Sequence, residues 1–318
     1  MTPVDLAAIQ AAHERIRPFI HRTPVLTSSA IDEMVGARVF FKCENFQKVG
    51  AFKFRGATNA VRSLSADRAA RGVVTHSSGN HAAALALAAR QRGVPAYIVM
   101  PRTAPDLKKR AVAGYGGQIT FCEPTQPARE AAAAQLLQST GGTLVHPYDD
   151  DAVIAGQGTA ALELLDEVPD LDAVLAPVGG GGLLSGTAIA VNGLRPAARV
   201  IGCEPALADD AAQSLKEGRP VPARPPATIA DGLLTALSPR TFGIIRERVE
   251  TIGLAEEAEI VAALRTILER MKIVVEPSCA VPLAVLLNRP LGLAGKRVGI
   301  ILSGGNLDVS RLLPEVRA

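Results

Sequence analysis

A chain of 318 residues, 48% hydrophobic and 20% charged, is large for one compact core and apolar enough to exclude disorder over most of its length. Its net charge of +3 is scattered, only 3% of residues are aromatic and none is Trp, so the clustered cations and stacking rings of a nucleic-acid groove are missing. No apolar run approaches the roughly 20 residues of a membrane span, and no basic start leads into an apolar block, so neither a membrane anchor nor a signal peptide is expected and the expected compartment is the cytoplasm.

Leu6, Ile9, His13, Ile16 and Ile20 recur at helical spacing and predict an opening amphipathic helix. Residues 39–43 predict a short strand. Next comes Gly50-Ala51-Phe52-Lys53-Phe54-Arg55-Gly56, where Lys53 lies between two of the eight Phe residues of the chain. Burial among rings disfavours an ammonium and lowers its pKa, as an amine nucleophile requires. A solvated surface lysine is the plainer reading.

Residues 72–76 read as a strand and 82–92 as an Ala-rich helix. The connection Thr75-His76-Ser77-Ser78-Gly79-Asn80-His81 offers free N–H groups and a helix N-terminus, a natural seat for a carboxylate or phosphate. A Ser or Asn cap explains one or two of these residues, not five together. Strand 96–100, strand 118–122, helix 128–138 and strand 143–146 follow. Arg129, on that helix, reads equally as a solvated residue or as a partner for a carboxylate.

A second series starts after His146, with helix 158–167 and buried strand 173–176. Pro177-Val178-Gly179-Gly180-Gly181-Gly182-Leu183 then leads into helix 183–192 and strand 199–203. Four successive glycines are costly in backbone entropy and let the main chain wrap an anion, so the run predicts a phosphate cradle. No Lys-Ser/Thr follows, so it is not a Walker loop, and the spacing is not G-x-G-x-x-G. Glu204 nevertheless stands about 20 residues on, where a dinucleotide fold binds ribose, which keeps an NAD-dependent oxidoreductase as a distant alternative.

The segment Glu204-Pro205-Ala206-Leu207-Ala208-Asp209-Asp210 offers two carboxylates and a carbonyl to Mg²⁺ or Ca²⁺, although spacing alone favours Asp209 or Asp210 as a helix cap. Residues 219–226 are Pro-rich and predict a surface loop, 256–271 a long amphipathic helix and 297–302 a last buried strand. Ser303 follows that strand, where open α/β sheets place ligand groups.

Short apolar strands alternating with helices predict an α/β fold: two open, twisted, mainly parallel sheets with flanking helices. The expected division is a large domain from 1–71 and 149–318, with a small α/β unit, 72–148, inserted. Cys43, Cys122, Cys203 and Cys279 form no C-x-x-C pair and read as reduced, buried thiols. H-E-x-x-H and G-x-S-x-G are both missing, which argues against a catalytic zinc or a serine hydrolase.

In their order along the chain, the Lys53 motif, the Ser-Ser-Gly-Asn-His turn, the glycine tetrad, the Glu204 segment and the Ser303 motif resemble the fold-type-II pyridoxal-phosphate (PLP) enzymes of the serine racemase and threonine dehydratase group. The resemblance spans nearly the whole chain and implies a tryptophan synthase β-like fold. It implies Lys53 as the Schiff-base lysine and base, Phe52 and Asn80 as contacts to the cofactor ring, Gly179, Gly180, Gly181 and Gly182 as the phosphate loop, and Ser303 as partner of the pyridine nitrogen. Ser77, Asn80 and His81 resemble a substrate-carboxylate clamp, and Ser78 matches the serine that racemases use on the opposite face.

The resemblance also implies a divalent cation (Mg²⁺, Ca²⁺ or Mn²⁺) at Glu204, the Ala208 carbonyl and Asp210, reversing the preference for a cap, and a homodimer. Residues 75–82, 100–105 and 276–282 are similar to β-hydroxyaspartate dehydratases, and Arg129 would then meet a second substrate carboxylate. Ala82-Ala83 depart from the Gly-Gln of racemases. Val49 replaces a Thr of the nucleotide effector site, which argues against ATP activation although Ser28, Ser29, Lys48 and Tyr115 match. The implied reaction is β-elimination of water from L-threonine, L-serine or 3-hydroxyaspartate, giving a keto acid and ammonia. Serine or aspartate-type racemisation is the alternative, and a non-catalytic amino-acid-binding module the third class.

Overall fold

The computed structural model describes residues 4–77, 79–225 and 227–308. Runs of aliphatic residues buried on both faces make the central strands, as parallel sheets covered by helices require, while the edge strands are half-buried or exposed. The strands are β1 (Val25–Leu26), β2 (Arg38–Cys43), β3 (Val73–His76), β4 (Ala96–Pro101), β5 (Gln118–Cys122), β6 (Thr143–Leu144), β7 (Ala173–Pro177), β8 (Arg199–Pro205), β9 (Thr251–Ala255) and β10 (Arg297–Leu302). One sheet runs β1-β2-β10-β7-β8-β9 and the other β5-β4-β3-β6. Every pairing is parallel except the edge pair of β1 and β2, where Val25 lies opposite Lys42.

β10 is the centre of the larger sheet, with Ile300 in register with Phe41 on one side and Leu175 on the other. Separate apolar clusters cover the two faces of this sheet, one around Phe41, Ile201 and Val285, the other around Ile154, Leu184 and Ile301. A third cluster lies under the smaller sheet and joins Leu85, Ile98 and Met100 to Ile16, Phe54, Val61 and Val153. The helix Lys53–Ser63 is therefore shared: it packs on the smaller sheet from outside the segment that forms its strands.

Several elements differ from the sequence expectation. The helix predicted from 158 starts at Asp151, capped by Asp150, whose side chain accepts from Val153 N. Gly156 hides its first turns from pattern reading, because a Cβ there would lie 2.6 Å from Gly56 Cα where two helices cross. The helix Pro277–Asn288 escapes because Pro282 lies inside it, and β9 because its strand is only half-buried. Residues 219–225 form no helix or strand, as expected, and Pro226 is outside the described residues. Among the described residues no helix is long and apolar enough to cross a membrane.

Candidate active site

Parallel strands bring their carboxyl ends to one edge of each sheet, and the residues singled out above lie at or after six such ends: β2, β3, β5, β7, β8 and β10. Lys53 opens the helix Lys53–Ser63, and the main chain before it is pinned to the far end of the sequence. Ala51 forms an antiparallel bridge with Gly304, and Phe52 N donates to Ser303 O at 3.0 Å. Lys53 Nζ donates to Pro147 O at 2.8 Å and lies 5.1 Å from the Phe52 ring centroid. Burial pulls its pKa down to about 8 against the opposing charge of Glu276. Near neutral pH the amine is thus deprotonated far more often than a surface lysine.

Two residues on, Arg55 is fully buried and joins a cluster that sequence reading missed. Its guanidinium donates to Glu44 at 2.7 and 2.8 Å and to Glu163 at 2.9 and 2.8 Å, and Lys42 Nζ stands 2.8 Å from the same Glu163. Two cations and two carboxylates leave the cluster without net charge, which is what burial demands.

The glycine tetrad is buried and links β7 to the helix Gly182–Leu194. Gly181 has φ +86, a left-handed conformation that favours glycine. A Cβ on Gly180 would lie 2.3 Å from the Tyr148 ring, one on Gly182 2.9 Å from Tyr148 Cβ, and one on Gly179 3.0 Å from Leu233 Cα. The sequence argument ascribed the whole run to an anion; protein atoms in fact claim the space at each of these positions. What remains for an anion is main chain, because no side chain caps the helix at its Gly181 N-cap.

After β3, the helix Asn80–Arg92 also starts without a side-chain cap. Ser77 is half-buried and its hydroxyl accepts from Gly79 N at 3.4 Å. Ser78 lies outside the described residues. The His81 ring is buried and its Nε2 is 3.1 Å from Val145 O, so Nε2 carries the proton. Burial pulls its pKa to about 3. The ring is therefore neutral and committed elsewhere; only the main-chain N–H of His81 is left to meet a carboxylate. Asn80 Nδ2 donates to both oxygens of Glu276, at 3.0 and 3.1 Å, and Asn80 Oδ1 accepts from Asn306 at 2.9 Å.

His76, His146 and Tyr148 form a ladder of edge-on rings, with centroids 5.5 and 4.6 Å apart. His146 Nδ1 accepts from Asp149 N at 2.9 Å, and burial holds its pKa near 4, so it is neutral. Arg129 is half-buried next to this ladder: the His76 pKa is lowered by burial and then by the Arg129 charge. Arg129 Nε is buried without a hydrogen-bond partner. Ser303 is 3% exposed at the end of β10.

Glu204 is buried next to the end of β8 and accepts from Ala211 N at 2.9 Å and Ala212 N at 3.0 Å. It is thus the group that caps the helix Asp210–Glu217, a task the spacing assigned to Asp209 or Asp210. Both Glu204 carboxylate oxygens are turned onto this helix start. Burial lifts Glu204 to about 9 and Asp210 to about 6, and both Asp210 carboxylate oxygens are buried without hydrogen-bond partners. Among the described residues no group of three or more His, Cys, Asp or Glu side chains is arranged to hold a metal ion, so the candidate cation ligands are two carboxylates and the Ala208 carbonyl.

Tyr148, Glu276, Asn306 and Arg55 had been given no role. The first has a legible signal, an aromatic and three acids directly after His146-Pro147, and Glu276 begins a motif already noted.

Residues 16–304 match the family described as pyridoxal-phosphate dependent enzyme. The chain is 54% identical over 302 residues to β-hydroxyaspartate dehydratase of Paracoccus denitrificans, covering 95% of this chain and 96% of that protein. Among solved structures, serine racemase from Dictyostelium discoideum superposes with a TM-score of 0.93 at 49% identity, covering 96% of this chain and 99% of that one. Maize serine racemase does so with a TM-score of 0.96 at 44% identity, covering 98% and 97%, and a T.th. threonine deaminase with a TM-score of 0.91 at 45% identity, covering 96% and 99%.

Proposed function

The chain belongs to the pyridoxal-phosphate dependent enzymes, and from that premise we propose that it is an ammonia-lyase that eliminates water from a small hydroxy amino acid, with 3-hydroxyaspartate as the preferred substrate. The observation that carries the substrate choice is Arg129, half-buried beside His76 with an unbonded Nε. A second substrate carboxylate would satisfy it.

The residues fit PLP on three counts: a half-buried lysine whose amine has a lowered pKa, a buried and uncapped helix N-terminus at the glycine tetrad, and Ser303 at the adjoining strand end. When bound, PLP supplies the sink for charge that develops at the substrate α-carbon. Lys53 Nζ takes the α-proton. Phe52 would pack on the cofactor ring, and Ser303 would meet the ring nitrogen with a neutral hydroxyl rather than a charged partner. Ser77 and the main-chain N–H groups of Asn80 and His81 would hold the α-carboxylate, and Gly179 through Gly182 would hold the phosphate by N–H groups.

Glu204, the Ala208 carbonyl and Asp210 would hold a divalent cation. There it would neutralise the two orphaned Asp210 oxygens and fix the start of the helix Asp210–Glu217. We also infer a cytoplasmic homodimer, divided into 1–71 with 149–318 and an inserted unit at 72–148.

Racemisation is the second reading, favoured by the likeness to a serine racemase. Its opposite-face acid would be Ser78. The substitution of Ala82-Ala83 for Gly-Gln favours elimination.

The test is ammonia release from 3-hydroxyaspartate, L-threonine and L-serine, with and without Mg²⁺. The 3-hydroxyaspartate should be the best substrate. Arg129→Ala should lower kcat/KM for it by about 10- to 100-fold, as expected for one charged contact, and leave L-serine nearly untouched. Equal losses on both would refute the role of Arg129.

A further inference from the structure

Glu276 stands at the N-cap of the helix Pro277–Asn288, where an acidic side chain ordinarily turns onto the helix's own N–H groups. Here it makes no such bond. It is 5% exposed and reaches instead to Asn80, on the helix that connects β3 to β4 of the smaller sheet. Room for it is built in: a Cβ on Gly304 would lie 2.7 Å from Glu276 Oε1. Glu276 N is itself tied to Gly304 O at 3.0 Å, in the turn that pairs with Ala51 and adjoins Phe52 and Lys53.

The other end of the Asn80 carboxamide is equally committed. Its Oδ1 accepts from Asn306 Nδ2, which also donates to Val49 O at 2.7 Å. With an acceptor fixed on the nitrogen side and a donor on the oxygen side, the amide has one orientation. The Nδ2 hydrogen not used by Glu276 remains to donate. Lys108 and Asp231, paired at 2.8 Å, are the other charges felt by Glu276, and Glu276 in turn acts on the Lys53 charge.

We propose that Glu276 is a positioning residue of the active site: it holds the Asn80 carboxamide in the one orientation that presents an N–H to the bound cofactor. This rests on the reading of Asn80 as a contact to the cofactor ring. Glu276 thereby also links a helix of the larger sheet to the helix that carries the substrate turn.

The test is a double-mutant cycle on the PLP-loaded enzyme with Asn80→Ala, Glu276→Ala and the pair, plus Glu276→Gln, reading kcat, KM and the visible absorbance band of the bound cofactor. Glu276→Ala should lower kcat by roughly 10- to 100-fold, the rate equivalent of one hydrogen bond to a charged acceptor, with a smaller change in KM and a shifted band. Glu276→Gln, which keeps an acceptor, should recover most of the rate, and it serves if Glu276→Ala fails to fold. The pair should be no worse than Asn80→Ala alone. If Asn80→Ala is itself silent, the cofactor-contact reading fails and the proposal with it. If Asn80→Ala is defective but Glu276→Ala and Glu276→Gln lower only the melting temperature, or the two effects multiply, the positioning role alone is overturned.

Discussion

Lys53 owes its chemistry to the place where its helix begins. A lysine in mid-helix would swing free. This one follows a residue locked to Ser303 by a main-chain bond, and its amine is held on Pro147 O. Gly180 shows the same dependence on a single contact. Gly180→Ala would force the Tyr148 ring from its place, since the new Cβ would lie 2.3 Å from it. The expected cost is about 1–3 kcal/mol in urea unfolding, with weaker PLP binding. Adding Tyr148→Ala should recover part of the loss; full stability in Gly180→Ala alone would show that Tyr148 does not set this position. Ser78, if it is the opposite-face acid, makes a different demand. Ser78→Ala should depress racemisation of serine more than elimination from the L-isomer, and equal depression of both would remove it from that face.

At the scale of elements, the helix Lys53–Ser63 is bolted to its surroundings by the Arg55 cluster, which ties it to Glu44 after β2 and to Glu163 on the helix Asp151–Glu167. Burial pushes the Glu163 carboxyl up, but the bonds and charges of Arg55 and Lys42 outweigh it and hold the pKa near 2, below its ordinary 4.5. A folded-state pKa below the unfolded one stabilises the fold fully above pH 4.5, and that share disappears as pH falls through 2. Unfolding free energy should therefore carry a Glu163 component that fades over this window, and Glu163→Gln should flatten it there. Because Glu163→Gln leaves a buried cation uncompensated, it should also cost about 3–5 kcal/mol at neutral pH. A loss below about 1 kcal/mol would mean that water reaches the cluster.

Across the whole molecule, two mainly parallel sheets place the candidate residues at the carboxyl ends of their strands, and most of the sheet plan was legible in the sequence. Alternating apolar runs gave the strands, and the order of the Lys53, Ser-Gly-Asn, glycine and Ser303 motifs matched a known family. The bonds between distant segments were not legible. The tie of Phe52 to Ser303 runs through main-chain atoms, which leave no signature in residue type. Tyr148 and Gly180 meet only after folding, so the glycines read as a ligand cradle although part of their necessity is packing. The resemblance implied His81 as part of a carboxylate clamp, and burial of its ring against Val145 O leaves only its main-chain N–H for that task. Nothing in residue type marks Arg55 or Glu163, because a neutral buried cluster is a property of four residues brought together from separate segments of the chain.

The most direct measurement is borohydride reduction of the PLP-loaded enzyme, followed by proteolysis and mass mapping of the pyridoxyl group. The label should fall on Lys53 alone. Recovery on Lys42, Lys48 or any other side chain, or no stable label at all, would contradict the assignment from which every other role here follows.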